Sequence, residues 1–374
     1  MPRPGSDEPI LVLLRKQEFS QVQPPRMTAL CSCFRRSTDF PYRITHTPDL
    51  CRPKLSLVPP PKPRLSRRAR RGKALPMTNP PPSPSPTPSP RLAAYLARIG
   101  LDAPPPISPE GLGGLLAAHR RAIAFENLDV RLGRPIRIDG DSVFDKLVTR
   151  RRGGYCFEQN RLLADILREL GFALRPLLAR VRLGAAPEAV PVRSHVTLLV
   201  TLDGEPWVAE GGFGGSDLPA LPLVDGAQAA SPDGARHRLR KLGAAGTLAG
   251  EWLIERAGPH GATDGRAAPH EDWQPQYSFD LAHVAPDDLE QCNHWTSTRP
   301  GTRFTMLHIA SIVLPDGFAA MTDRALTLHR GGVKTEQAIA TPADYAHTLR
   351  DIFRIDFSEI EAAALPLFAP QRAE

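Results

Sequence analysis

Eleven residues, Pro80–Pro90 (PPPSPSPTPSP), divide this chain into two parts that follow different rules. Proline fixes φ and lacks an amide donor, so the run favours extended, solvated polyproline II structure and builds no core. Of the 41 prolines, 20 lie within the first 90 residues. Those residues carry 16 Lys+Arg against 5 Asp+Glu, whereas the remaining 284 carry 31 against 35. The chain therefore reads as a basic, disordered, proline-rich leader joined to a mildly acidic globular body. The net charge of +7 belongs to the leader and is no nucleic-acid footprint of the body, for which no nucleic-acid partner is expected. The run Arg67, Arg68, Arg70, Arg71, Lys73 reads as a solvated tail, or as sequence ahead of a true start at Met77.

No stretch approaches the ~18 apolar residues of a membrane span. Ile10–Leu14 is too short for a signal-peptide core. Of five cysteines, Cys31, Cys33 and Cys51 sit in the leader without the partners of a zinc site. Cys156 and Cys292 are too few for a disulfide framework, so a reducing, cytoplasmic setting without a membrane partner is expected.

Within the body, Leu92, Tyr95, Leu96 and Ile99 recur at helical spacing and stop at Gly100. Ser108-Pro109 opens a second helix, Ser142 caps a third, and a fourth follows Cys156 as far as Gly171. Strands are then expected at Leu174–Leu183, His195–Leu202, Pro206–Glu210, Arg236–Leu242, Glu251–Arg256 and Gln276–Leu281, in the style of an antiparallel barrel or sandwich. Gly258–Glu271 reads as an exposed loop. Thr305–Val313 and Ala325–His329 read as strands, and short helices are capped near Thr341 and Ser358.

The histidines are scattered, with no HExxH, no Cys/His cluster and no phosphate loop, so neither a metal nor a Rossmann cofactor is expected. The informative segment is Arg151-Arg152-Gly153-Gly154-Tyr155-Cys156-Phe157-Glu158-Gln159-Asn160. A helix start and neighbouring cations favour the thiolate of Cys156. Glycines allow a carbonyl carbon to approach the sulfur, and free amides can hold an oxyanion. A thiol nucleophile needs a base, and the base an orienting group. The two-residue turn Asp203-Gly204 sets Glu210 opposite Thr197, on the same face as His195. His195 and Glu210 are then diagonal neighbours about 7–8 Å apart at the backbone, bridgeable by long side chains. Cys156, His195 and Glu210 form the candidate nucleophile, base and orienting carboxylate.

RRGGYCFEQN, SHVTLLV and GGFGG after a carboxylate resemble the three motif regions of the arylamine N-acetyltransferase family. AIAFENLDV at Ala122–Val130, FDKLV at Phe144–Val148 and WTSTRPGTRF at Trp295–Phe304 extend the resemblance over residues 91–374. It implies an α+β multidomain fold with a cysteine-protease-like Cys-His-carboxylate core. A helical bundle (91–172) would carry the nucleophile, a β-barrel (173–285) the histidine and carboxylate, and an interdomain segment with an α/β lid (286–374) would follow the leader (1–90) and these two domains. It also implies acetyl-CoA as acyl donor and an arylamine, arylhydrazine or similar amine as acceptor. Transfer would be ping-pong through an acetyl-Cys156 thioester, with Ser194, Phe213, Gly214 and Phe304 lining the donor and acceptor cleft. Glu210 stands where the family usually has aspartate, in a motif that usually reads DVGFGG and here reads EGGFGG, with Gly211 loosening the backbone for the longer arm. An amide synthase of the same fold, a thiol hydrolase and a non-catalytic binding protein acting through its leader are the competing readings.

Overall fold

The structure, a computed structural model, describes residues 88–214, 217–232, 234–258 and 270–369. The leader ahead of residue 88, with Cys31, Cys33, Cys51 and the basic run, lies outside the described residues, as does residues 259–269 of the expected loop.

Side-chain caps start the first helices where proline follows. Ser89 Oγ accepts from Leu92 N at 3.1 Å and opens α1 (Pro90–Ile99); Ser108 Oγ accepts from Gly111 N at 3.1 Å and opens α2 (Pro109–Ala122). Proline is tolerated there because the amide it lacks would have no helical partner. A short strand β1 (Phe125–Glu126) and a single turn α3 (Leu128–Arg131) follow. The third helix is not capped by Ser142. Asp139 Oδ1 accepts from Ser142 N at 2.9 Å, so α4 (Gly140–Phe144) starts earlier and runs into a π-helical turn, Asp145–Thr149. An aspartate at the N-cap is as good an acceptor for the amide three residues on as a serine there, so the earlier start is equally well capped. Helix α5 (Cys156–Glu169) begins at the cysteine itself.

Eight strands follow: β2 (Ala173–Val181), β3 (Arg193–Leu202), β4 (Glu205–Ala209), β5 (Leu221–Pro222), β6 (Gln228–Ala230), β7 (Arg236–Lys241), β8 (Trp252–Gly258) and β9 (His270–Phe279). They form one antiparallel sheet in the order β5-β4-β3-β2-β9-β8-β7-β6. Its two edges, β5 and β6, are consecutive in the chain and joined only by residues 223–227, so the sheet curls into a nearly closed barrel. Helices α6 (Pro286–Thr298) and α7 (Arg303–Met306) lead to β10 (Ile309–Leu314), β11 (Gly317–Thr322), β12 (Ala325–Arg330) and β13 (Val333–Ala338). With β1 these make a second antiparallel sheet, ordered β1-β10-β11-β12-β13, covered by α8 (Pro342–Asp351) and α9 (Glu359–Ala363). The strand expected from Thr305 starts four residues late. Thr302 N donates to Thr305 Oγ1 at 3.2 Å, and this local bond closes the α7 turn instead.

The β3–β4 hairpin has the register its turn dictates. Asp203 and Gly204 adopt φ of 50° and 85°, the left-handed pair of a type I′ turn, and Leu198 pairs with Ala209. Strand β4 stops there, so Glu210 is the first residue beyond it. Even-numbered Leu198, Val200 and Leu202 pack against α1, α2 and α5, while Leu177, Val208, Leu239 and Tyr277 fill the barrel. Leu112, Leu115, Leu163 and Leu167 on α2 and α5 are fully buried in the first of these cores. Among the described residues no helix is long and apolar enough to cross a membrane.

Because α5 carries both core leucines and Cys156, its packing is a direct test of the layer order. Leu167→Ala should lower stability by about 2–5 kcal/mol, read as a fall in thermal midpoint. A change within ~0.5 kcal/mol would mean that this face of α5 is not part of the core.

Candidate active site

The turn before α5 is stitched to β1. Gly154 N donates to Ala124 O at 3.3 Å, Glu126 N donates to Gly154 O at 3.1 Å, and Gln159 Nε2 donates to both carbonyls, at 2.8 and 3.1 Å. A Cβ at Gly153 would lie 2.4 Å from Ala124 O, so only glycine permits this approach. The stitching holds Cys156 at the first position of α5, where the helix dipole is positive. Its sulfur is buried, 3.8 Å from Ser194 O.

The arginines ahead of the cysteine do not both serve the thiol as the sequence suggests. Arg151 is exposed. Arg152 is buried, with its guanidinium 3.2 Å from Asp129 and 3.3 Å from Glu361, and lies over the Phe357 ring at 4.7 Å. Its charge is matched by carboxylates, which leaves the helix start to supply positive potential at the sulfur.

His195 on β3 and Glu210 beyond β4 meet as the hairpin register requires, with His195 Nε2 2.6 Å from Glu210 Oε2. The other carboxylate oxygen accepts from Asn160 Nδ2 at 2.8 Å and from Gly212 N at 2.7 Å. Burial pushes the Glu210 carboxyl up, but His195 and the donors from Asn160 and Gly212 outweigh it and hold the group below the usual carboxylate range. The His195 ring packs on Phe213 and Tyr277, with centroids at 5.0 and 4.8 Å. Because Nε2 faces Glu210, Nδ1 is the remaining polar atom of the ring.

Cys156 and His195 line one cavity of about 300 Å³ together with Ser194, Phe213 and Phe304. Phe125, Val181, Leu183, Val192 and Trp295 complete most of an apolar wall, and Arg303 is the other basic side chain on it. Gly214 is not on that wall. It backs Phe125, whose ring would be 2.9 Å from a Cβ there, and its carbonyl accepts from Ser311 Oγ at 3.2 Å. Asn160 was missed from sequence although it lies one helical turn beyond Cys156. Its Nδ2 also lies 3.2 Å from Cys156 O and 2.9 Å from Val196 O, and its Oδ1 accepts from Gly211 N at 3.0 Å. Its helical i, i+4 spacing from Cys156 is the signal by which the sequence could have shown it. Among the described residues no group of three or more His, Cys, Asp or Glu side chains is arranged to hold a metal ion.

Behind the nucleophile turn lies a buried ionic cluster. Lys146 Nζ sits 2.8 Å from both Glu158 and Asp129 and 3.8 Å from Glu126. Glu158 Oε2 accepts from Tyr155 N at 3.1 Å, capping α5. Burial, reinforced by Glu126, lifts the Glu158 carboxyl to about 7 against the pull of Lys146 and the Tyr155 amide. A carboxyl raised by folding binds its proton more tightly in the native state. Its contribution to stability is full below pH 4.5 and is lost as pH rises toward 7. Denaturant titrations across that window should show the parent losing stability relative to Glu158→Gln; parallel profiles would contradict the assignment.

Comparison with known proteins fits this arrangement. The family model described as N-acetyltransferase matches residues 110–362. The arylamine N-acetyltransferase of Escherichia coli (strain K12) is 37% identical over 245 residues, 65% of this chain and 80% of that protein. Among solved structures, arylamine N-acetyltransferase from Salmonella typhimurium aligns with a TM-score of 0.66 at 32% identity, covering 74% of this chain and 98% of that one. The Mycobacterium marinum arylamine N-acetyltransferase solved in complex with CoA aligns with a TM-score of 0.63 at 31% identity, covering 73% and 98%. These relatives place the arrangement of helices, a nearly closed barrel and a second sheet in the acyltransferase class of enzymes. With two-thirds of its length matched, the chain belongs to the arylamine N-acetyltransferase family.

Proposed function

We propose that this protein acetylates arylamines, arylhydrazines or similar amines with acetyl-CoA, in two steps through a thioester on Cys156. The observation that carries the reading is the shared cavity of Cys156 and His195, with His195 held by a buried Glu210 at 2.6 Å. In the first step the Cys156 thiolate, whose proton rests on His195 Nδ1, attacks the thioester carbonyl of acetyl-CoA; the C–S bond to CoA breaks, and CoA leaves with that proton. In the second, the amine attacks acetyl-Cys156, the new C–N bond forms as the C–S bond breaks, and the proton lost by nitrogen passes to His195, which restores the thiolate–imidazolium pair. Glu210 accepts the Nε2–H, which fixes the tautomer and balances the imidazolium charge.

Acetyl-CoA as donor is supported by the M. marinum relative solved with CoA. An aromatic acceptor is supported by the walls of Phe125, Val181, Leu183, Phe213 and Phe304, which offer flat apolar surface to a ring. The low exposure of Cys156, 3%, favours amine over bulk water as second nucleophile.

Intact mass spectrometry after mixing with acetyl-CoA should find one acetyl adduct on Cys156, discharged by an arylamine. An adduct that releases free acetate at the same rate without amine would instead make the protein a thiol hydrolase. Cys156→Ala should abolish both adduct and transfer. Glu210→Gln, which keeps shape but loses charge, should lower kcat by about 10²–10⁴-fold with little change in thermal midpoint; wild-type turnover in that variant would remove Glu210 from the mechanism.

A further inference from the structure

The geometry points to Gly211 as a positioning residue matched to Glu210: the missing side chain lets the chain beyond β4 lie close enough to α5 that a glutamate, and not a shorter carboxylate, is the group that spans to His195. This rests on the acetyl-transfer reading for the role of His195, and the test below separates the two.

Residues 210–212 run directly along α5. A Cβ at Gly212 would lie 2.5 Å from Gln159 Cβ and 3.5 Å from Cys156 Cα, so the segment touches the helix backbone beside the nucleophile. At Gly211 a Cβ would lie 3.0 Å from Leu163 Cδ2 and 3.5 Å from both Asn160 Oδ1 and His119 Nε2. Only the Leu163 contact is tight, the other two being at ordinary van der Waals distance, so it is atoms beyond Cβ that meet neighbours with little room to move. Leu163 is fully buried in the helical core. Asn160 Oδ1 holds Gly211 N, and His119 is fixed between Tyr95 Oη at 2.9 Å and Gln159 Oε1 at 2.7 Å. The branched carbons of a larger residue would reach further into the same atoms and push residues 210–212 off the helices. A push off the helices is a push toward the barrel face of β3 and β4, where His195 packs against Phe213 and Tyr277.

The reach of Glu210 is matched to the present position. Its carboxylate spans three partners at once, with Oε2 on His195 at 2.6 Å and Oε1 on Asn160 and Gly212 at 2.8 and 2.7 Å. Removing one methylene retracts the carboxylate by about 1.5 Å. From this backbone position the shorter group cannot keep both the His195 bond and the Asn160–Gly212 pair within hydrogen-bond range. A side chain at 211 that moves the backbone toward His195 has the opposite effect: it crowds the long arm and restores reach to the short one. The two positions should therefore be coupled with a compensating sign.

Four proteins test this: the parent, Glu210→Asp, Gly211→Val and the double variant. Each is read by the pH midpoint of Cys156 alkylation with iodoacetamide and by the single-turnover rate of acetylation from acetyl-CoA. Each single change should slow acetylation about tenfold or more and raise the alkylation midpoint by about one pH unit, because the imidazolium loses its counter-charge. The double variant should acetylate at least about tenfold faster than Glu210→Asp, with its midpoint moved back toward the parent's. Effects that multiply, leaving the double variant slower than either single one, overturn the proposal. Should Gly211→Val fail to fold, Gly211→Ala with and without Glu210→Asp decides by the same sign of coupling at smaller amplitude. The alkylation midpoints need no acyl transfer. Coupled midpoints in a parent that forms no acetyl adduct would sink the acetyl-transfer reading and leave this one standing; additive effects in a parent that does acetylate would sink this one alone.

Discussion

A carboxylate with no access to water has to be kept charged by its neighbours, and the centre of this molecule is organised around one. Glu210 is completely buried, yet its carboxyl is held below the usual range because His195, Asn160 and the Gly212 amide all direct hydrogens or positive charge at it. Breaking such a set by removing one partner leaves an uncompensated buried charge, which costs several kcal/mol. The requirement propagates outward. It demands that β3 and β4 pair in one register, that α5 present Asn160 one turn after Cys156, and that the chain beyond β4 touch α5 without a side chain in the way. The three elements therefore cannot slide independently, and the site is as rigid as the barrel and helical core that carry it.

Helix α5 is the shared wall of the structure. Its Leu162, Leu163, Ile166 and Leu167 belong to the helical core, while Cys156 and Phe157 belong to a smaller cluster with Phe125, Val196 and Ile309 where both sheets meet. The second sheet reaches this point through β1, which leaves the helical part of the chain to pair with β10. Arg152 and Lys146 join the same junction to α9 and to the start of α5 through Asp129, Glu158 and Glu361. One short stretch of backbone, residues 152–160, thus receives forces from every layer.

Much of this was legible in the amino-acid sequence, because the informative features are local. Ser108, Thr341 and Ser358 cap helices through bonds spanning three residues, and Asp203-Gly204 admits essentially one kind of hairpin. From that hairpin the His195–Glu210 contact follows by counting. What escaped was decided by competition or by distance. Ser142 lost its cap to Asp139, and Thr305 was drawn into a one-turn helix by Thr302. Arg152 was read as a cation for the thiol because Asp129 and Glu361 lie 23 and 209 residues away in the chain and only the fold brings them to it. The resemblance puts Gly214 on the cleft wall, whereas in the fold it leaves room for the ring of Phe125.

The chemistry of the site depends on whether the sulfur at the head of α5 rests as an anion beside an imidazolium. Titrating thiolate ultraviolet absorbance in the parent, with Cys156→Ala subtracted to remove Cys292 and the leader cysteines, measures that state without any substrate. Ionisation of Cys156 with a midpoint at least about two units below the ordinary thiol value of about 8.5 is the predicted result. A midpoint at or above that ordinary value would contradict it.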